Sequence, residues 1–419
     1  MIRIPRGTKD VLPTESYKWQ QIEKIFREVS NLFGFQEIRT PTFESTELFL
    51  RGVGETTDIV SKEMYTFLDK GDRSITLKPE GTAGVARSFV ENGLASSALP
   101  LKMYYITPVF RYEAPQAGRL REHHQFGVEL FGSESPYADL EVILLAREIF
   151  KRFDISSVFL KINNIGCPSC RKKYNEILTE YLKKNTDKLC QTCNDRLYKN
   201  PLRILDCKID SCEIVKADAP KIIDHLCPDC LKHHDFLIQL LDASNVEYVI
   251  DPYLVRGLDY YTGTVFEFVS SVIGSQGTVC GGGRYNNLIT EVGGVNTPAV
   301  GFGMGIERLI LLLEANGYKF VDDKKPIVYI ATYNQSYYVY ALQLVTLLRK
   351  EGVAVEIDVV GRSFKAQLKY ANKKGFKFVL VVGENEVASN KFSLKNFETG
   401  EEFLLDKKDL AIFIKNQRI

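Results

Sequence analysis

The stretch VRGLDYYTGTVFEF, residues 255–268, carries Arg256, Asp259, Tyr260, Tyr261 and Glu267 among Val, Leu, Phe, Thr and Gly. Its β-branched and aromatic content predicts a strand, and a guanidinium, two phenols and two carboxylates are more polar chemistry than a core strand needs. The structural alternatives are a salt bridge from Arg256 to Asp259 or Asp251, and an aromatic pair of Tyr260 and Tyr261 inside the core. A second concentration of reactive groups lies between residues 167 and 230. Eight of the nine cysteines fall there, as CPSC (Cys167, Cys170), CQTC (Cys190, Cys193), CKIDSC (Cys207, Cys212) and CPDC (Cys227, Cys230), while Cys280 stands alone. In a reducing compartment, repeated two-residue spacings suit tetrahedral thiolate coordination of zinc better than disulfides, because each pair can hold two corners of the tetrahedron. The pairs can combine in several ways, and thiols packed as small apolar groups are the alternative. A third concentration, GRSFKAQLKYANKKGFK, holds Arg362, Lys365, Lys369, Lys373, Lys374 and Lys377 with no acid among them. Such a run is either a solvated helix face or a contact for a phosphate backbone.

These groups need elements to position them. Trp19, Ile22, Phe26, Val29 and Phe33 recur at helical spacing over residues 16–33, and Gly34 ends that helix before FQEIRTPTF, a predicted strand closing at Pro41. MYYITPVFRYE and HHQFGVELFG alternate like the arms of a long antiparallel hairpin, and YADLEVILLAREIFKRF reads as a helix. The cysteine-bearing stretch then interrupts the pattern until strand character resumes near Tyr248. After AVGFGMGIERLILLLEANG, short apolar runs such as PIVYIATY and FKFVLVVG alternate with helical patterns, the signature of a separate α/β domain. The expected domains are a catalytic first part at 1–165, an inserted Cys-rich subdomain at 166–245, a catalytic second part at 246–322, and a C-terminal α/β domain at 323–419.

With 45% hydrophobic and 26% charged residues the chain is of ordinary globular composition, and a net charge of +1 excludes a wholly basic nucleic-acid coat. The N-terminal MIRIPRGTKDVLP has no apolar run of a signal peptide, and no stretch is apolar enough for a membrane span. The expectation is a cytoplasmic protein without a membrane partner.

Five stretches in order resemble a known family. FRYEAPQAGRLREHHQFGVELFG is similar to motif 2 of class II aminoacyl-tRNA synthetases, AVGFGMGIERLI to motif 3, and FGFQEIRTPTFESTELF to the Pro-containing motif 1. VRGLDYYTGTVFE and GGGRYNNL resemble the two signature stretches of histidyl-tRNA synthetases. The resemblance implies an α+β fold: a six-stranded antiparallel catalytic sheet flanked by helices, an inserted subdomain, a C-terminal anticodon-binding domain, and a homodimer formed through motif 1. It implies activation of L-histidine by ATP with Mg²⁺, then transfer to the 3′ end of a histidine-accepting tRNA.

Residue by residue, the resemblance puts Arg111, Arg256 and Arg308 in the chemistry, where bidentate guanidinium forks suit charge building on a phosphate. ATP is expected at Arg111, Glu113, Gly303, Gly305 and Arg308, the glycines allowing close approach. Glu129 and Tyr261 are expected at the imidazole, with Tyr260 beside them, and Glu80, Gly81, Thr82 and Gln125 at the α-ammonium group. GGGRYNNL is expected to make a glycine-rich turn able to close near the substrate, with an ordinary hairpin as the alternative. In the motif 2 loop, Ala114, Leu120 and His123 depart from the family, which usually has an Arg, an aromatic and a Phe there. Gln116, Arg119 and Arg121 remain as contacts for the tRNA acceptor end, and Lys369 and Lys373 as contacts elsewhere on the tRNA. Two rivals stand beside this reading. One is the silent paralogue that regulates ATP phosphoribosyltransferase, which typically lacks the signature Arg and the C-terminal domain; both are present here. The other is a zinc-containing RNA-binding or scaffold protein that has kept the fold and lost catalysis.

Overall fold

Strict alternation along the strands decides where this chain buries itself and where it keeps polar groups. In a computed structural model, which describes all residues except 55, 56, 58, 275, 276, 323–326, 418 and 419, the chain forms two compact units, Met1–Phe320 and Val321–Ile419. The expected start of the last domain, at 323, lies outside the described residues.

The strands of the larger unit are β1 (Gln36–Glu37), β2 (Phe43–Ser45), β3 (Tyr65–Leu68), β4 (Ser74–Leu77), β5 (Leu101–Phe110), β6 (Glu122–Phe131), β7 (Val158–Asn164), β8 (Tyr248–Ile250), β9 (Thr262–Ser270), β10 (Thr278–Arg284) and β11 (Ala299–Gly305). Its α-helices are α1 (Ser16–Leu32), α2 (Thr46–Val53), α3 (Thr82–Glu91), α4 (Pro136–Arg152), α5 (Pro168–Lys183), α6 (Gln191–Leu197), α7 (Asp210–Ala217), α8 (Pro228–Ala243), α9 (Leu288–Glu291) and α10 (Ile306–Ala315). The main sheet has the order β1-β5-β6-β11-β10-β9-β7-β8. From β5 to β7 every neighbour is antiparallel, which is the expected six-stranded body; β1 and β8 add to its two edges in parallel. Edge strands this short leave little open ladder for another chain to pair with.

One face of the sheet presents Phe126, Val128, Leu130, Phe266, Phe268, Val300, Phe302 and Met304 to a core shared with α1, α4, α8 and α10. Each fully buried Phe or Leu there contributes about 1.5–3 kcal/mol. The other face packs Met103, Tyr105, Phe131 and Val265 against Val85, Ala86 and Phe89 of α3 and Tyr174, Leu178 and Leu182 of α5. It also carries the polar residues considered below.

Three sequence expectations change. The strand of VRGLDYYTGTVFEF starts only at Thr262; Val255–Tyr261 is a loop, because the Asp259 amide donates to Val53 O (3.1 Å) and the Leu254 amide to Asp251 O (3.0 Å) instead of to a sheet ladder. The strand of FQEIRTPTF shrinks to Gln36–Glu37, since Pro41 lacks a donor and Phe43 pairs with Leu77 in a separate sheet. The glycines of GGGRYNNL are not a turn but the interior of β10, where a Cβ on Gly282 would strike the Gly301 carbonyl across the ladder.

The smaller unit contains β12 (Val328–Thr332), β13 (Val355–Ile357), β14 (Phe378–Val382), β15 (Lys391–Asn396) and β16 (Glu402–Asp406), with α11 (Tyr338–Lys350), α12 (Phe364–Lys374), α13 (Glu384–Ser389) and α14 (Leu410–Asn416). Its sheet runs β13-β12-β14-β15-β16, parallel in the first three strands and antiparallel in the last two. Apolar clusters cover both faces, which is why its central strands read as continuous apolar runs. Among the described residues, no helix is long and apolar enough to cross a membrane.

Candidate active site

The polar face of the main sheet is built on glycines. Glu129 of β6 lies opposite Gly301 of β11, Gly127 opposite Gly303 and Gln125 opposite Gly305. On the far side of β11, Gly281 of β10 lies between Gly303 and Glu267 of β9. A Cβ on Gly301 would collide with the Glu129 carboxylate, one on Gly303 with Gln125, one on Gly281 with the Arg256 guanidinium, and one on Gly81 or Gly127 with the Tyr105 ring. The glycines therefore make room first for the protein's own polar side chains.

Glu129 is fully buried at the centre of a small polar pocket. Thr82 Oγ1 donates to it at 2.7 Å and Tyr105 OH at 3.2 Å, and Tyr285 OH donates as well. Burial outweighs these hydroxyls and pushes its carboxyl up to about 8. Glu80, also buried and raised by burial, accepts from the Thr82 and Ala83 amides at 2.7 and 2.8 Å and so caps the N-terminus of α3; Tyr260 OH donates to it at 3.4 Å. Gln125 Oε1 accepts from the Gly81 amide at 3.1 Å. The Tyr260 and Tyr261 rings tilt together with centroids 4.7 Å apart, and both lie near Tyr285. Glu80, Gly81, Thr82, Gln125, Glu129, Tyr260 and Tyr261 are thus brought together. Tyr105 and Tyr285 are pocket members that sequence reasoning missed. Tyr285 stood inside GGGRYNNL, and Tyr105 is two residues from Met103, the cross-strand partner of Glu129, so parity along the hairpin could have found it.

Beside this pocket, Arg111, Glu113, Arg119, Gln125, Arg256, Gly303, Gly305 and Arg308 line one cleft, together with His123. Arg111 Nε donates to Pro79 O at 2.8 Å, and Arg308 donates to Gly118 O (3.0 Å) and Thr278 O (2.8 Å), tying the loop after Arg111 to β10. Arg119 pairs with Glu113. Arg256 pairs with Glu267, which also accepts from Thr278 Oγ1 at 2.9 Å, and its guanidinium lies 5.6 Å from the Tyr261 ring. The two alternatives for Arg256 are engaged elsewhere: Asp251 pairs with Lys161 at 2.9 Å, and Asp259 accepts from Asn200 at 2.9 Å. Burial, reinforced by Arg111 and Arg308, lowers His123 to about 3, so it is a neutral ring in the cleft. Four guanidiniums around a glycine floor make a site for a polyanion, with a polar-ring pocket next to it.

Other candidates sit apart. Gln116 faces a groove with Trp19 and Leu311. Arg121 stacks on Tyr112 at 3.8 Å and donates to Glu113 O at 3.3 Å. Arg284 of GGGRYNNL is buried against Asp139 (2.9 and 3.0 Å) and Ser133 O (2.8 Å), fastening the start of α4 rather than entering the cleft. Lys369 and Lys373 are exposed one turn apart on α12. The eight clustered cysteines fall into two groups: Cys167, Cys170, Cys227 and Cys230, and Cys190, Cys193, Cys207 and Cys212.

Residues 7–309 match the family model described as histidyl-tRNA synthetase, and residues 327–417 that of an anticodon binding domain. The chain is 55% identical over 414 residues to the histidine–tRNA ligase of Caldanaerobacter subterraneus subsp. tengcongensis, covering 98% of this chain and 99% of that one. It is 54% identical over 402 residues to that of Acetivibrio thermocellus, covering 96% of each. The crystal structure of apo S. aureus histidyl-tRNA synthetase superposes with a TM-score of 0.83 at 38% identity, over 99% of this chain and all of that one.

Proposed function

Since the chain belongs to the histidyl-tRNA synthetase family and ligates histidine to tRNA with ATP, we propose that its arginine cleft and glycine floor are where the histidine carboxylate attacks the α-phosphorus and pyrophosphate leaves. One observation carries this reading: Arg111, Arg256 and Arg308 converge on a single cleft beside the buried Glu129 pocket. Arg111 and Arg256 flank the α-phosphate from opposite sides, and Arg308, with Glu113, holds the adenine and γ-phosphate end; Mg²⁺ accompanies the nucleotide. Glu129 and Tyr261 pair the two ring nitrogens of histidine, one donating and one accepting. Tyr260 closes the ring pocket, while Glu80, Gly81, Thr82 and Gln125 face the α-ammonium group. A pocket that pairs both nitrogens rejects analogues lacking them by roughly 10⁴ or more.

On the same reading, Gln116, Arg119 and Arg121 meet the tRNA acceptor end and Lys369 and Lys373 its backbone. The enzyme works as a cytoplasmic homodimer joined through FGFQEIRTPTFESTELF, and residues 166–245 form an inserted subdomain whose clustered cysteines hold zinc. That zinc is structural: its chemistry is to tie thiolates together. Histidine-dependent exchange of pyrophosphate into ATP tests the central assignment. Exchange that requires histidine is expected; none in folded protein would refute it and favour a silent scaffold.

Two variants sharpen the assignment. Gly281→Ala puts a methyl group where the Arg256 guanidinium lies. Displacement of this size is expected to slow exchange about 10- to 100-fold while the thermal midpoint holds. An unchanged rate would show that the guanidinium position is unimportant. Reversing Lys369 and Lys373 to Glu is expected to weaken aminoacylation and to reduce its salt dependence by about one unit of log slope per lost contact, with exchange untouched. Equal damage to both reactions would instead mark misfolding.

A further inference from the structure

The two cysteine groups are nested, the inner one lying between the two halves of the outer one in sequence, and within each group the four sulfurs lie within 4.8 Å of one another. Cys167 Sγ and Cys170 Sγ are 3.6 Å apart. Zn–S bonds near 2.3 Å in a tetrahedron place sulfurs about 3.8 Å apart, so the spacing already fits. The Cys227 amide donates to Cys170 Sγ at 3.1 Å and the Cys190 amide to Cys212 Sγ at 3.2 Å, the kind of contact that steadies a ligating thiolate. Cys167, Cys190 and Cys227 each sit at the N-cap of a helix, α5, α6 and α8, with the second cysteine of the pair in the first turn. Two of the helices in this segment, α6 and α7, span only 7 and 8 residues. Helices so short are marginal on their own and need an external tie.

Both groups lead to the same place. Arg171, next to Cys170, donates through Nη1 to Tyr261 O at 2.9 Å and to Asp259 O at 3.4 Å. Between Cys193 and Cys207, Asn200 Nδ2 donates to Asp259 Oδ1 at 2.9 Å and Arg203 Nη1 to Arg256 O at 3.2 Å. The loop they grip carries Arg256, Tyr260 and Tyr261, and it lies outside the sheet ladder.

We propose that the insert is a clamp held by two separate four-thiolate zinc sites, and that Arg171, Asn200 and Arg203 transmit it to the Arg256–Tyr261 loop as positioning residues for histidine. This rests on the zinc reading of the same cysteines and adds the division into two sites and their task. Each site sets one side of the loop, the outer site through Arg171 and the inner one through Asn200 and Arg203.

Full-length protein purified without chelator is expected to contain two zinc ions per chain by elemental analysis; one or none overturns the division. Cys190→Ser with Cys193→Ser is expected to leave one. The clamp is tested without touching a cysteine. Arg171→Ala and Asn200→Ala are expected to keep two zinc ions and the thermal midpoint, and to raise the KM for histidine in pyrophosphate exchange about tenfold each, the usual effect of losing one charge-assisted bond. The KM for ATP is expected to hold, and Arg171→Lys to recover part of the loss. Two zinc ions with an unchanged histidine KM would overturn the clamp and spare the zinc reading. Absent metal would overturn both, and absent exchange in the unsubstituted enzyme would instead condemn the assignment of the cleft.

Discussion

Arg256→Ala is expected to slow histidyl-adenylate formation by about 10² to 10³, the usual loss when one preorganised donor to a developing anion is removed. The guanidinium is asked to act mainly in the transition state, so kcat should fall more than KM rises. Its partner complicates the experiment in a useful way. Arg256 is paired with Glu267, and removing it strands a largely buried carboxylate. Arg256→Ala should therefore also lower the thermal midpoint, and adding Glu267→Gln should restore stability without restoring rate. If the double variant recovered activity as well, the loss would have been structural. Arg256→Lys should recover only part of the rate, because a point charge does not reproduce the fork. Transfer from preformed adenylate to tRNA should suffer less than activation, since pyrophosphate has by then left. An equal loss in single-turnover transfer would remove Arg256 from the first step.

The second large effect is expected at Glu129. Glu129→Gln keeps the shape but exchanges a carboxyl group whose two oxygens meet three hydroxyls for an amide that cannot accept on both sides. The KM for histidine is expected to rise about 10- to 100-fold, the worth of a charge-assisted bond. The same group predicts a proton count. Its carboxyl rises from 4.5 to about 8 in the empty pocket, so near pH 7 it is protonated, and burial is the cause. A bound ammonium group and ring N–H favour the anion, so histidine binding should release up to about one proton below pH 8. Calorimetry in two buffers of different ionisation enthalpy reads this directly, and Glu129→Gln should abolish the release. For the empty enzyme the linkage has a definite sign. The folded state holds a proton that the unfolded chain has lost, so this contribution to stability is full below about 4.5 and is lost as pH rises through about 8. The thermal midpoint of the unsubstituted enzyme should accordingly fall over that window more steeply than that of Glu129→Gln, and histidine should narrow the gap.

Much of this site could be read from the chain because alternation is local. In QFGVEL and VGFGMG, every second residue is apolar, and the remaining positions are Gln125, Gly127, Glu129, Gly301, Gly303 and Gly305, the floor of the site. What could not be read depends on distant partners. The polar half of VRGLDYYTGTVFEF has strand propensity, yet its backbone is claimed by Val53, Arg171 and Arg203, residues far away in sequence. Propensity yields to such contacts. Arg284 was indistinguishable from a substrate-facing residue until Asp139 was placed against it. Spacing alone paired the cysteines two by two, but which pairs meet follows from the folded chain, which brings Cys167 and Cys170 at the start of α5 to Cys227 and Cys230 at the start of α8, and not from the intervals between them.

A crystal structure of this enzyme with an adenylate analogue in which a sulfamoyl group replaces the phosphate would test this arrangement most directly. The imidazole is predicted between Glu129 and Tyr261, with the guanidiniums of Arg111 and Arg256 both on the sulfamoyl oxygens and Arg308 toward the adenine. An imidazole outside the Glu129 pocket, or a sulfamoyl group that leaves Arg256 turned to Glu267 alone, would contradict it.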